Sequence, residues 1–142
     1  LMNRLYLQQS FKGSSGGKAL IVTLEGELHQ VGAKMVADIF ELNGWETAFP
    51  GSDRNMAEVL DLIEQEQPDV LGISFSVYFH LETLFEMLSG VRSVNKGLPI
   101  LLGGQGLKWL KAEEVEPYGV TLVPDLESLV EFTHSWRSAR AH

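Results

Sequence analysis

Ala19-Leu20-Ile21-Val22-Thr23-Leu24 forms a run of strand length with no charged residue in it. A half-buried strand alternates apolar and polar residues, whereas an unbroken run like this fits a strand covered on both faces. Directly downstream, Val31, Met35, Val36, Ile39 and Phe40 recur at helical spacing, and Asn43-Gly44 supplies a helix stop. The same alternation continues along the chain. Thr47-Ala48-Phe49 reads as a short strand, and Asp53 as the cap of a helix carrying Met56, Val59, Leu60 and Ile63 on one face. Pro68-Asp69 turns into the strand Val70-Leu71-Gly72-Ile73-Ser74-Phe75, which precedes a helix marked by Leu81, Leu84, Phe85, Leu88 and Val91. Pro99-Ile100-Leu101-Leu102 is a strand ended by Gly103-Gly104, and Leu107 to Glu116 reads as a short helix. Val120 to Val123 is the last strand, and Asp125 caps a final helix bearing Leu126, Leu129, Val130 and Thr133.

Five strands alternating with helices predict an α/β fold with a parallel sheet and helices on both faces. Right-handed crossovers leave few topologies at this length, and the flavodoxin-like (Rossmann-like) strand order 2-1-3-4-5 is the natural one. At 142 residues, with 44% hydrophobic and 21% charged, the chain holds one globular domain. Leu1 to Ser10 reads as an arm or helix end, and Gly13-Ser14-Ser15-Gly16-Gly17 as a flexible hinge. The expected division is therefore an arm and linker over 1–17 and the domain proper over 18–142. A chain that opens on Leu1 and such a hinge is expected to continue an upstream module.

Composition narrows the function classes. Lys and Arg number 11 against 19 Asp and Glu, a formal charge of −8 that repels phosphate backbones, so no direct nucleic-acid contact is expected. There is no cysteine, which excludes disulfides, thiolate zinc, iron–sulfur clusters and thiol catalysis within this chain. No apolar run is long enough to span a membrane and no leader opens the chain, so a cytoplasmic protein is expected. Phosphate-loop, dinucleotide-binding and nucleophile-elbow signatures are also missing.

Open parallel sheets bind ligands beyond the carboxyl ends of their strands, at the point where strand order reverses. That places function after strands 1, 3 and 4. The first of these loops contains Glu27-Leu28-His29-Gln30-Val31-Gly32, the second contains Ser74 and Ser76, and the third contains Gly103-Gly104. Glu27 lies one residue from His29, close enough to accept a hydrogen bond from one imidazole nitrogen and raise the basicity of the other. One protein ligand is too few for structural zinc, but it suffices for a metal already held in a macrocycle, whether haem or a corrin. Gly32 lets a backbone pass closely, and Gly103-Gly104 leaves room for something flat or elongated. Taken alone, His29 would read as a solvated loop histidine.

Together these residues resemble the cobalamin-binding domain found in methionine synthase, corrinoid methyl-carrier proteins, cobalamin-dependent mutases and light-responsive repressors. The family signature is Asp-x-His-x-x-Gly, then Ser-x-Leu, then Gly-Gly. Here the three positions read Glu27-Leu28-His29-Gln30-Val31-Gly32, Ser74-Phe75-Ser76 and Gly103-Gly104. The resemblance implies His29 as the lower axial ligand of cobalt, with the cofactor base-off and Glu27 holding the ring. It also implies a slot beside the first helix for the displaced tail, lined by Gly32, Gly103 and Gly104, with Ser74 bonded to the buried base.

Departures from the family are informative. Glu27 replaces the usual Asp, a variant associated with sensory and repressor members; Ser76 replaces Leu and makes the slot more polar. His80 stands where the family carries a relay serine; it is either a partner for Glu27 or a polar residue at a helix start. Tyr78 and Phe79 either touch the corrin edge or, as favoured here, pack under the loop.

The expected role is a non-catalytic sensory or regulatory cobalamin module, a photoreceptor or transcription-regulating element, working with an upstream domain or partner protein. The alternatives are a corrinoid methyl carrier of a methyltransferase system and a haem-binding relative. The resemblance does not fix the adenosyl, methyl or hydroxo form of cobalamin, and a homo-oligomer is compatible with it. His134 is expected to be solvated, Trp45, Trp109 and Trp136 to be satellite core residues, and Glu113-Glu114-Glu116 to form an exposed acidic face.

Overall fold

In the computed structural model the described residues are 17–23, 31–50, 55–75 and 81–141, with the backbone alone at 31, 32, 105, 109 and 137–141. The strands are β1 (Lys18–Thr23), β2 (Glu46–Ala48), β3 (Val70–Ser74), β4 (Ile100–Gly103) and β5 (Val120–Val123). The helices are α1 (Val31–Leu42), α2 (Met56–Glu66), α3 (Leu81–Val94), the single turn α4 (Ala112–Val115) and α5 (Leu126–Ala141). The strands form one parallel sheet in the order β2-β1-β3-β4-β5, the flavodoxin-like arrangement.

Alternation along β1 divides the core in two. Leu20 and Val22 join Leu71, Ile73, Ile100 and Leu102 beneath α2 and α3, packing against Val59, Ile63, Leu84, Leu88 and Val91. Ala19 and Ile21 join Val70 and Leu101 on the opposite face, beneath Ala33, Ala37 and Phe40 of α1 and Leu129 of α5. Neither face of the central strands meets solvent, which is why they read as unbroken apolar runs.

Register sets the positions of the strand ends. Thr23 pairs with Ser74, Ser74 with Gly103, and Gly103 with Val123. Paired residues in parallel strands point to the same side of a sheet, so these four form one row at its carboxyl edge on the α1/α5 face.

Two local expectations change. The cap of α2 is Asn55, whose side chain accepts from the Glu58 N–H at 2.9 Å while Glu58 accepts from the Asn55 N–H at 3.1 Å. That reciprocal box fixes the start of α2, and Asp53 lies outside the described residues. The expected helix from Leu107 to Glu116 is broken into a 3-10 turn over Gln105–Trp109, α4, and a second 3-10 turn over Glu116–Tyr118. Leu107, Leu110 and Val115 all pack on the α2/α3 side, which gives the stretch its helical spacing. The first turn, however, is tied to the end of β3 by Gly106 N–H donating to the Phe75 carbonyl at 3.0 Å. Leu110 and Lys111 then run extended before Lys111 N–H donates to Glu114 at 2.9 Å and starts α4.

Trp45 and Trp136 sit in an aromatic cluster with Phe40 and Phe132; Trp45 is buried, its ring 4.8 Å from Phe40 in an edge-on contact. The Trp109 side chain lies outside the described set. His134 is exposed and lies 3.1 Å from the Asn43 amide oxygen. Glu113, Glu114 and Glu116 are exposed. No helix among the described residues is long and apolar enough to cross a membrane.

Candidate functional site

A cleft of about 580 Å³ opens at the carboxyl edge of the sheet, on the α1/α5 face. That is within the usual size range of small-molecule sites. Its floor is Ile21 of β1, Gly72 and Ser74 of β3, Leu101 and Gly103 of β4, and Val123 of β5. Met35 and Val36 of α1 form one wall, and Leu126 and Leu129 of α5 the other. Gly104, Leu107 and Lys108 close one end beside Pro124 and Asp125.

Three glycines give the cleft its depth and outline. A Cβ at Gly72 would lie 2.8 Å from the Ile21 Cδ1, so the bare Cα gives the end of the Ile21 side chain its place on the floor. Gly104 has φ +101°, and a Cβ on it would overlap the Phe75 carbonyl oxygen. Any side chain at that position would push the turn off the sheet. Gly103 differs from both: its nearest neighbour for a Cβ is the Val123 carbonyl at 3.5 Å, an ordinary contact. Packing therefore does not require glycine at 103. What a side chain there would occupy is the cleft itself.

The floor is apolar except for half-buried Ser74, the last residue of β3. The rim carries opposite charges, with Lys108 and Asp125 both exposed. Asp125 caps α5. Its carboxylate accepts from the Ser128 N–H and from the Ser128 hydroxyl, each at 2.8 Å, and the backbone bond above all holds it below the usual carboxylate range. Such a cleft suits a flat, largely apolar group that is elongated toward a polar mouth and offers one hydrogen-bonding atom to Ser74.

Of the residues singled out in the sequence, Ser74, Gly103 and Gly104 line this cleft together. Val31 and Gly32 form the first turn of α1, whose next turn walls it. Glu27, Leu28, His29, Gln30, Ser76, Tyr78 and His80 lie outside the described residues. Sequence reading missed Gly72 and the α5 wall. A glycine inside a buried apolar run was the available signal for the first. Leu126 and Leu129 gave no signal, because their spacing is the same as that of any core-facing helix.

Residues 17–123 match the family described as the B12 binding domain. Methionine synthase of Mycobacterium tuberculosis is 31% identical over 106 residues, which is 72% of this chain and 9% of that enzyme. Methionine synthase of Mycobacterium leprae is 32% identical over 100 residues, 68% of this chain and 8% of that enzyme. The chain thus spans less than a tenth of the length of these relatives. The methanol:cobalamin methyltransferase complex of Methanosarcina barkeri superposes with a TM-score of 0.76 at 17% identity, covering 87% of this chain and 47% of that one. The monomethylamine corrinoid protein of the same organism gives 0.74 at 15% identity, covering 91% of this chain and 61% of that one. A cobalamin-binding protein of Desulfitobacterium hafniense gives 0.71 at 17% identity, covering 94% and 67%. At these identities the structural likeness establishes the fold.

Proposed function

From the premise that this chain belongs to the B12-binding domain family and is a cobalamin-binding domain, we propose that it takes the cofactor base-off, with His29 as the lower ligand of cobalt. Glu27 accepts a hydrogen bond from the other imidazole nitrogen, which fixes the tautomer and makes the coordinating nitrogen a stronger donor to the metal. The displaced nucleotide tail enters the cleft between the sheet, α1 and α5. Ser74 donates to the one free ring nitrogen of the benzimidazole, Gly103 and Gly104 leave its plane unobstructed, and Lys108 at the mouth faces the phosphodiester. Bound in this way, the cobalamin supplies a cobalt–carbon bond that can be made and broken, and the chain's own part is to hold and orient it.

The observation that carries this reading is the cleft, with its apolar floor, Ser74 at the end of β3, and a glycine at 103 that packing does not require. The test is retention. Apo-protein mixed with hydroxocobalamin and desalted keeps the pigment with a histidine-ligated visible spectrum, and His29→Ala loses that spectrum. Loss of pigment from the wild-type chain on desalting overturns the proposal, as does an unchanged spectrum in the variant. Haem offered in the same way tests the one competing macrocycle.

The role we propose for the bound form is regulatory: the loaded domain changes its contacts with an attached or partner module. Glu27-Leu28-His29, the variant associated with sensory members, supports it. The relatives favour a second reading, since methionine synthases and corrinoid methyltransferase proteins point to a module that carries a methyl group between partners. Illuminating the adenosylcobalamin form and following oligomeric state separates the two. A light-dependent change supports regulation. No change with light, together with methylation of the cobalt(I) form by a methyltransferase partner, supports carriage.

A further inference from the structure

Thr23 is the last residue of β1, and its side chain is fully buried. Among the described residues its Oγ1 has no hydrogen-bond partner. A buried hydroxyl without a partner is destabilising, and valine would fill the same volume without that penalty. The neighbour that matters is Ser74. The two are register partners on adjacent parallel strands and point to the same face, the one on which the cleft opens. Adjacent strands run about 4.8 Å apart, so the two hydroxyls are within reach of each other after a single rotamer change. As they stand, the two are neighbours without a bond between them.

We propose that Thr23 is a positioning residue for the buried base of the tail and acts through Ser74. The inference rests on the tail occupying the cleft as described above. The benzimidazole nitrogen is an acceptor and needs one donor. Ser74 gives its proton to that nitrogen, which commits the Ser74 oxygen to accept. Thr23 then donates its otherwise idle proton to the Ser74 oxygen. The chain of two bonds polarises in one direction, and each bond strengthens the other. The base holds Ser74 as an acceptor facing Thr23, so the hydroxyl that otherwise lacks a partner gains one when the tail is bound.

The experiment compares two corrinoids on the intact chain. Hydroxocobalamin carries the nucleotide tail; dicyanocobinamide has the corrin ring and no tail. Thr23→Val is expected to weaken hydroxocobalamin binding about fivefold, the worth of one hydrogen bond, and to leave dicyanocobinamide binding unchanged. In the free protein the same variant is expected to unfold at higher urea. Thr23→Ser restores cobalamin binding. In a Ser74→Ala background Thr23→Val causes no further loss, because Thr23 acts only through that serine. Equal weakening of both corrinoids overturns the proposal, and so does a wild-type cobalamin affinity in Thr23→Val. If the wild-type chain binds neither corrinoid, the cobalamin reading itself fails, an outcome distinct from either of these.

Discussion

Ser74 and Gly103 are register partners across β3 and β4, so a hydroxyl and a bare Cα stand side by side on the floor of the cleft. This pairing leaves a space one residue wide next to the one polar group of the floor. The glycine at 103 is not demanded by backbone conformation or by crowding.

Gly103→Leu tests what that space is for. The side chain has room to be built, since the nearest atom to its Cβ is 3.5 Å away, but its branches must lie in the cleft. Stability in urea should change by less than about 1 kcal/mol, as the added apolar surface packs against neighbours already there. Affinity for hydroxocobalamin should fall at least about tenfold, a loss of roughly 1.4 kcal/mol. Equilibrium binding followed by the visible spectrum reads the second effect, and urea unfolding of the free chain reads the first.

Gly104→Ala should behave in the opposite way. At φ +101° an L-residue is strained, and its Cβ would overlap the Phe75 carbonyl oxygen. That oxygen also accepts from Gly106 N–H, so the turn has little freedom to move aside. A destabilisation of about 3 kcal/mol is expected, the upper end of the cost of a strained backbone position. Chemical denaturation measures it without any cofactor.

These two glycines show what the sequence could and could not reveal. The fold was legible because β1, β3 and β4 are buried on both faces and so carry unbroken apolar runs, while α1, α2 and α3 carry helical spacing. The position of Ser74 and Gly103-Gly104 at strand ends was legible for the same reason. That the two glycines do different work was not, because one is set by its dihedral angle and the other by an empty volume. Neither leaves a trace in residue type. The break at Leu110–Lys111 was hidden because Leu107, Leu110 and Val115 keep a helical spacing across it. The Thr23–Ser74 pairing was hidden because register is a property of two strands, not of one.

Arg92 holds a different part of the fold. Its guanidinium donates to the Tyr118 carbonyl and to the Leu98 carbonyl, each at 2.6 Å, and to the Asn95 and Gly119 carbonyls at 3.2 and 3.3 Å. It therefore ties the end of α3 to the entries of both β4 and β5, and partial burial lowers its pKa from the ordinary arginine value. Arg92→Ala should lower stability by about 2 kcal/mol, since it removes charge-assisted bonds to part-buried carbonyls. Arg92→Lys should recover little of that, because a single ammonium cannot span the same acceptors. Urea midpoints of the three proteins decide the matter.

Lys108 lies at the mouth of the cleft and is exposed. With the tail in the cleft as proposed, it should contribute a weak, salt-sensitive attraction to the phosphodiester. Lys108→Glu is expected to weaken hydroxocobalamin about threefold at low salt and progressively less as salt is raised, leaving dicyanocobinamide unaffected. Binding isotherms of both corrinoids over a salt series make the check.

Asp125 couples pH to the α5 wall. Its carboxylate accepts two hydrogen bonds from Ser128, and these bonds stabilise the charged form, so its folded pKa is lowered relative to the unfolded chain. A lowered folded value means that the group's contribution is fully present above the unfolded pKa. It is lost as pH falls through the folded one. The neutral range is therefore unaffected, and the cap fails only in acid, below the usual carboxylate range. Leu126 and Leu129 follow directly on that cap and face the cleft, so the first turn of α5 should loosen as the cap is lost. An NMR titration of the free chain should show the Ser128 amide resonance moving with a midpoint below that of an ordinary aspartate. Asp125→Asn, which keeps an accepting oxygen but cannot ionise, should abolish that movement while preserving the helix start. A Ser128 midpoint at the ordinary aspartate value, or one that survives in Asp125→Asn, would show that another group titrates there.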